Sequence, residues 1–141
     1  MKLLGALLAC VALHTSVAEQ IESNTMAEFS FQAQKVYDNP FMDVEVDVRF
    51  TAPDGSEMKV PAFWAGGKAW RARYASGIVG THVYRTECSD SSDAGLHGVE
   101  GQVEINPYTG ENKLYRHGPL KIAADQRHFA HADGTPFFWM G

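Results

Sequence analysis

The sequence predicts an all-β protein, an antiparallel β-sandwich of about eight strands. Three observations predict it. Apolar and polar residues alternate with a period of two in several short runs, the mark of strands that turn one face to a core. Gly, Pro, Asn and Asp punctuate those runs at short intervals, as they do in sandwiches and barrels. After residue 18 no stretch carries the 3.6-residue apolar period of an amphipathic helix.

The first 18 residues stand apart. Lys2 gives a basic start, residues 3–13 are uncharged and apolar, and Ser16-Val17-Ala18 puts small residues at positions −3 and −1 of a cut before Glu19. That layout is a secretory signal peptide, cleaved on export to the periplasm or beyond. The apolar run is too short to span a bilayer, so no transmembrane segment is expected. Leu7-Leu8-Ala9-Cys10 loosely resembles a lipobox, but Leu8 fits it poorly, so lipoprotein anchoring is the less favoured address. The 141-residue chain is long enough for one domain and carries a formal net charge of −5. Cleavage leaves 11 basic and 17 acidic residues, a net of −6. This is too acidic for nucleic acid or anionic lipid as a general partner. Cleavage also removes Cys10, which leaves Cys88 without a disulfide partner, as a small residue at a strand end.

Residues 19–27 are polar and read as a loose leader. Residues 28–32 (EFSFQ) alternate briefly as a first strand, and Asn39-Pro40-Phe41 reads as a turn, because Pro fixes φ and restricts its neighbour. Residues 43–51 carry the cleanest pattern: Val44, Val46, Val48 and Phe50 point one way, and Glu45, Asp47, Arg49 and Thr51 the other. Pro53-Asp54-Gly55 turns the chain into residues 58–64, where Pro61 lacks an N–H and indicates an edge strand or a bulge. Gly66-Gly67 then closes a hairpin. Beyond it Trp70, Ala72 and Tyr74 share one face, and Arg71 and Arg73 the other. Residues 79–86, 99–105 and 120–122 give further strands, separated by the polar stretch 89–93 and the turn-rich stretch 106–112. Phe129-Ala130-His131 and Pro136-Phe137-Phe138-Trp139 flank Asp133-Gly134, a hairpin signal.

Candidate chemistry is sparse. His128 and His131 are three apart, on opposite faces of a strand, and His97 and His117 fall in expected loops, so no metal site or cofactor is expected. Glu45 and Asp47 share a strand face within reach of glycosidic geometry. As acidic residues on the solvated face of an amphipathic strand they need no such role, and Glu100 and Glu104 read the same way. There is no Gly-x-Ser-x-Gly elbow, phosphate loop or dinucleotide fingerprint. No catalytic residue is assigned. Aromatics remain: Trp70 and Tyr74 on one strand face, and Tyr108 beside a loop, are the candidate carbohydrate-binding residues, although a core between two sheets is the favoured place for Trp70 and Tyr74.

An ordered series of motifs resembles a known family. It comprises Asn39-Pro40-Phe41, the valine strand ending at Phe50, Pro53-Asp54-Gly55, residues 63–67 (FWAGG), 70–74 (WRARY), 80–84 (GTHVY), 118–122 (GPLKI) and 129–137 (FAHADGTPF). It is similar to the family catalogued as domain of unknown function 5060 (DUF5060). His82 departs from it, standing where such sequences often have Trp, which bears on how tightly the core packs there. The resemblance implies an immunoglobulin-like sandwich at the N-terminal side of a glycoside hydrolase barrel, of the type catalogued as domain of unknown function 4038 and related to apiosidase-like enzymes. It implies a layout of signal peptide at 1–18, leader at 19–27, sandwich at 28–126, and at 127–141 a hairpin with the start of a truncated (β/α)8 barrel. Such barrels carry their catalytic groups on later strands. The implied role is therefore a non-catalytic accessory domain whose partner is the catalytic barrel of the same polypeptide, with polysaccharide as a further partner. A stand-alone carbohydrate-binding module or a cell-surface interaction domain are the alternatives, since fold does not fix function.

Overall fold

The computed structural model describes residues 19–139; the signal-peptide reading of residues 1–18 lies outside them. In chain order the elements are β1 (Glu19–Glu22), β2 (Ala27–Gln32), α1 (Pro40–Asp43), β3 (Val46–Thr51), β4 (Glu57–Pro61), β5 (Phe63–Gly66), β6 (Ala69–Tyr74), β7 (Gly80–Cys88), β8 (Glu100–Asn106), α2 (Lys113–His117), β9 (Leu120–Ile122), β10 (Phe129–His131) and β11 (Pro136–Phe137). Eight of these strands make an immunoglobulin-like sandwich of a five-stranded sheet, β1-β8-β7-β3-β4, and a three-stranded sheet, β2-β6-β5. The last three form a small separate sheet, β11-β10-β9.

Alternation explains most of this. In β3 the valines and Phe50 are buried and the charged residues between them face out. Arg49 spans its neighbours there, bonding Glu87 on β7 at 3.0 Å and Glu57 at the start of β4 at 3.3 Å. In β6, Trp70, Ala72 and Tyr74 are buried. Arg71 and Arg73 both reach Glu28 on β2, at 2.8 and 3.0 Å. The inner faces meet in an aromatic cluster: Phe50 stacks flat on Tyr74 at 3.8 Å, and Phe29 and Tyr84 pack edge to face at 5.1 Å.

Pro61 marks the place where the chain changes sheets. β4 pairs with β3 on the edge of one sheet, and two residues later β5 pairs with β6 on the edge of the other. The missing N–H of Pro61 costs nothing at such an edge, and Gly66 and Gly67, both at positive φ, close the next hairpin.

His82 does not loosen the core. It is fully buried, its Nε2–H donates to the Ile78 carbonyl at 2.8 Å, and its Nδ1 accepts from the Tyr74 hydroxyl at 2.8 Å. Burial pushes the Tyr74 phenol up, which keeps it a neutral donor.

Four features differ from the expectation. The first residues of the leader are not loose: β1 is an edge strand that pairs parallel with β8, with Ile21 opposite Ile105 and packed on the core. This parallel pairing departs from an otherwise antiparallel fold. Asn39-Pro40-Phe41 is not a simple turn but leads into one turn of helix, α1, with Pro at its start, where a missing N–H is harmless. A second short helix, α2, follows the 106–112 link, its N-terminus capped by the Asn112 side chain, which accepts from Leu114 N at 3.0 Å. Residues 120–122 belong with the terminal hairpin, in the third sheet, and not with the sandwich.

Candidate functional site

Two of the three expected carbohydrate-binding residues belong to the core. Trp70 and Tyr74 are 4% and 3% exposed, so neither offers a ring face to a sugar. The alternation that put them on one face was real, but that face is the one the opposite sheet covers. Tyr108 is half-buried, packed edge to face on Tyr115 at 5.6 Å, with its hydroxyl accepting from Asn112 N at 3.2 Å. It braces the link before α2, and the three residues do not come together.

Three of the four carboxylates considered for chemistry have side-chain partners. Asp47 pairs with Lys59 at 2.7 Å, Glu100 with Arg85 at 2.9 Å, and Glu104 accepts from Thr81 at 2.6 Å. Among the described residues no three His, Cys, Asp or Glu side chains gather where they could hold a metal ion. Cys88 is free and buried at the end of β7, where burial pushes its thiol up.

One histidine, His117, is placed differently from the expectation, in a helix and not a loop. His117, at the end of α2, and His131, in β10, bring their rings to 5.3 Å. His117 Nδ1 donates to Asp133 at 2.7 Å, and His131 Nδ1 donates to the Gly118 carbonyl at 2.9 Å. The Thr135 N–H, followed by His117, holds the Asp133 carboxyl down at about 2. These contacts fasten the β10–β11 turn to α2. Asn24, at positive φ, fastens α2 to the sandwich: its side chain donates to the Tyr115 carbonyl at 2.7 Å, and its N–H donates to Ser76 O at 2.8 Å.

The region thus held in place carries several exposed apolar side chains. Phe138 and Trp139 are 83% and 75% exposed, and Ile122 and Phe129 beside them are exposed too. Phe129, Phe137 and Trp139 form a ring cluster, with Trp139 6.5 Å from Phe129 and 6.4 Å from Phe137. A shallow cavity of about 430 Å³ lies among these residues. Single exposed apolar residues are ordinary, but a contiguous group of this kind marks a contact surface.

Sequence reasoning missed Asp93. It lies in the polar stretch after β7, which reads as solvated, yet it is fully buried. Its carboxylate accepts from Gln34 N at 3.0 Å, Lys35 N at 3.1 Å, Gly95 N at 3.0 Å and the Tyr37 hydroxyl at 3.0 Å. Burial alone would raise its pKa, but these four donors outweigh burial and hold it below the ordinary value. The Asp followed two residues later by Gly in this stretch was the one available signal, a local turn in which the side chain bonds its own backbone. The group is structural, since every acceptor position is taken by the chain itself.

Comparison with known proteins agrees with this architecture. No curated protein matches the chain. Among solved structures, it is similar to a crystal structure of a putative glycoside hydrolase from Bacteroides vulgatus ATCC 8482, with a TM-score of 0.68 at 22% identity. That likeness covers 85% of this chain and 21% of the other, so this chain spans about a fifth of that protein's length. At that identity the likeness fixes the fold. The family match is to the one described as Domain of unknown function (DUF5060), and it runs over residues 20–89, from within β1 to just past β7. Over those residues, 70 of the 141, the chain is similar to the DUF5060 family.

Proposed function

We propose that this chain is the non-catalytic accessory sandwich of a secreted glycoside hydrolase, and that it packs against the catalytic domain through the end bearing the third sheet. The observation that carries this reading is the exposed cluster of Ile122, Phe129, Phe138 and Trp139. Apolar area left in water is a cost of about 25 cal/mol per Å² that a partner surface removes. The rings sit on a sheet tied to the sandwich through α2, Asn24 and the His117–Asp133 pair, so the partner would be held in a fixed pose. The DUF5060 match and the much longer glycoside hydrolase of like fold support a partner of that class within one polypeptide. On this reading the catalytic carboxylates belong to the partner domain.

Reading the gene beyond codon 141 and weighing the secreted product tests the proposal. A continuous frame encoding a catalytic domain is the expected result. A stop codon directly after Gly141, with a secreted product of matching mass, overturns it.

A further inference from the structure

The seam where the chain changes sheets stays open. As β4 leaves β3 and β5 joins β6, the strands part around Pro61 and Ala62. The opening is a cavity of about 320 Å³ lined chiefly by Phe41, Glu45, Asp47, Pro61, Phe63 and Trp64. Phe41, carried by α1, stands at its rim 70% exposed and meets the Trp64 ring at 5.1 Å, nearly perpendicular. Trp64 is fixed from behind, its Nε1–H donating to the Gly67 carbonyl at 2.9 Å. Phe63 is held by the Arg73 guanidinium, 5.2 Å above its ring. The Glu45 backbone is clamped by Ser89: the Glu45 N–H donates to the Ser89 hydroxyl at 3.0 Å, and the Ser89 N–H donates to the Glu45 carbonyl at 2.9 Å. Among the described residues the Glu45 carboxylate has no ion-pair partner, whereas Asp47 has Lys59.

We propose that this groove binds a neutral pyranose unit of a glycan. A pyranose has one face of C–H groups and a rim of hydroxyls. The first suits a fixed, exposed aromatic ring, and the second suits carboxylate acceptors beside it. The volume lies at the small end for ligand sites, enough for one or two sugar rings. The Glu45 carboxylate, without an ion-pair partner among the described residues and on a chain of net charge −5, disfavours uronic acids and other anionic sugars. An apolar protein segment fits less well, because it would strip water from Glu45 and give its carboxylate nothing in return. The choice of ligand class rests on the carbohydrate setting proposed above, but the site lies on the sandwich, away from the third sheet.

The test is a titration of the whole chain with cellohexaose and with xylohexaose, followed by tryptophan fluorescence and by calorimetry, with hexagalacturonic acid as the anionic control. At least one neutral hexaose is expected to give a saturable change that persists in Trp139→Phe and is reduced in the fluorescence of Trp64→Phe, where the buried Trp70 is the remaining tryptophan lining the cavity. Phe41→Ala is expected to weaken that binding about tenfold, and Glu45→Ala to weaken it also. Phe41 is exposed, so an unchanged melting temperature should show the variant folded. No saturable change with either neutral hexaose overturns the proposal. So does an unaltered affinity in folded Phe41→Ala, or equal binding of hexagalacturonic acid. Each of these results leaves the accessory reading standing, since that is decided by the gene and by the third-sheet surface.

Discussion

At the scale of single residues, the aromatic and polar groups around Tyr74 hold the core without lining the candidate groove. Tyr74 stacks on Phe50 and gives its hydroxyl to His82, which in turn gives its other nitrogen's proton to Ile78. Tyr74→Phe keeps the stack but leaves a buried ring nitrogen unpaired, so it should cost about 1–2 kcal/mol in urea unfolding, with an unchanged slope. It should leave hexaose binding untouched. Asp93 matters more. Asp93→Asn replaces an acceptor of four bonds by an amide that also presents donors to donors, and the expected loss is about 3 kcal/mol. The pH dependence has a definite sign. The native Asp93 carboxyl titrates below its unfolded value of 3.8, so its contribution is complete above that value and is lost as pH falls through the native pKa. Acid unfolding should therefore show a smaller dependence on pH in Asp93→Asn than in the parent chain, measured from pH 5 downward. Beyond the local turn to Gly95, no pattern in the sequence announced Asp93, because its other three donors come from residues 34, 35 and 37, nearly sixty positions away.

At the scale of elements, the strands with strict alternation were legible and those held by distant partners were not. β3 and β6 follow from their own residues, since each carries a full apolar face. β1 has one aliphatic residue, Ile21, in four, and its partner β8 lies some eighty residues further on, so nothing local marks it as a strand. The change of sheet at Pro61 was legible only as an edge or bulge, because proline reports a missing donor and not where the chain goes next. The same limit hid the candidate groove: Phe41 and Trp64 meet because α1 folds over the seam, which neither local sequence encodes. The stretch 89–93 read as a polar loop, yet it docks, with the residues that follow it, on the end of β2. Leu96 plugs the core, and Gly95 lies so close to the Gln32 carbonyl that an added Cβ would fall 1.9 Å from that oxygen. Backbone cannot swing aside as a side chain can. Gly95→Ala should push the loop off β2, cost about 2–3 kcal/mol, and expose the Asp93 network to faster amide exchange at Gln34 and Lys35.

At the scale of the whole molecule, the polar and apolar surfaces are unevenly divided. The outer faces of the sandwich are laced with ion pairs: Arg49 with Glu87, Lys59 with Asp47, Arg85 with Glu100, and Arg71 and Arg73 with Glu28. These pairs are exposed and add little to stability, but they keep those faces wet and unattractive to one another. The end bearing the third sheet has the opposite character, with Phe138, Trp139, Phe129 and Ile122 in water. If that end serves as a contact surface, the isolated chain should use it for self-association. Phe138→Ser with Trp139→Ser should then lower binding of a hydrophobic dye and shift sedimentation toward monomer. Its melting temperature at low concentration should barely change, because exposed rings contribute little to the fold. A double variant that associates as strongly as the parent chain would move the sticky surface elsewhere, and the seam at Phe41, another exposed aromatic site, would be the next surface to change.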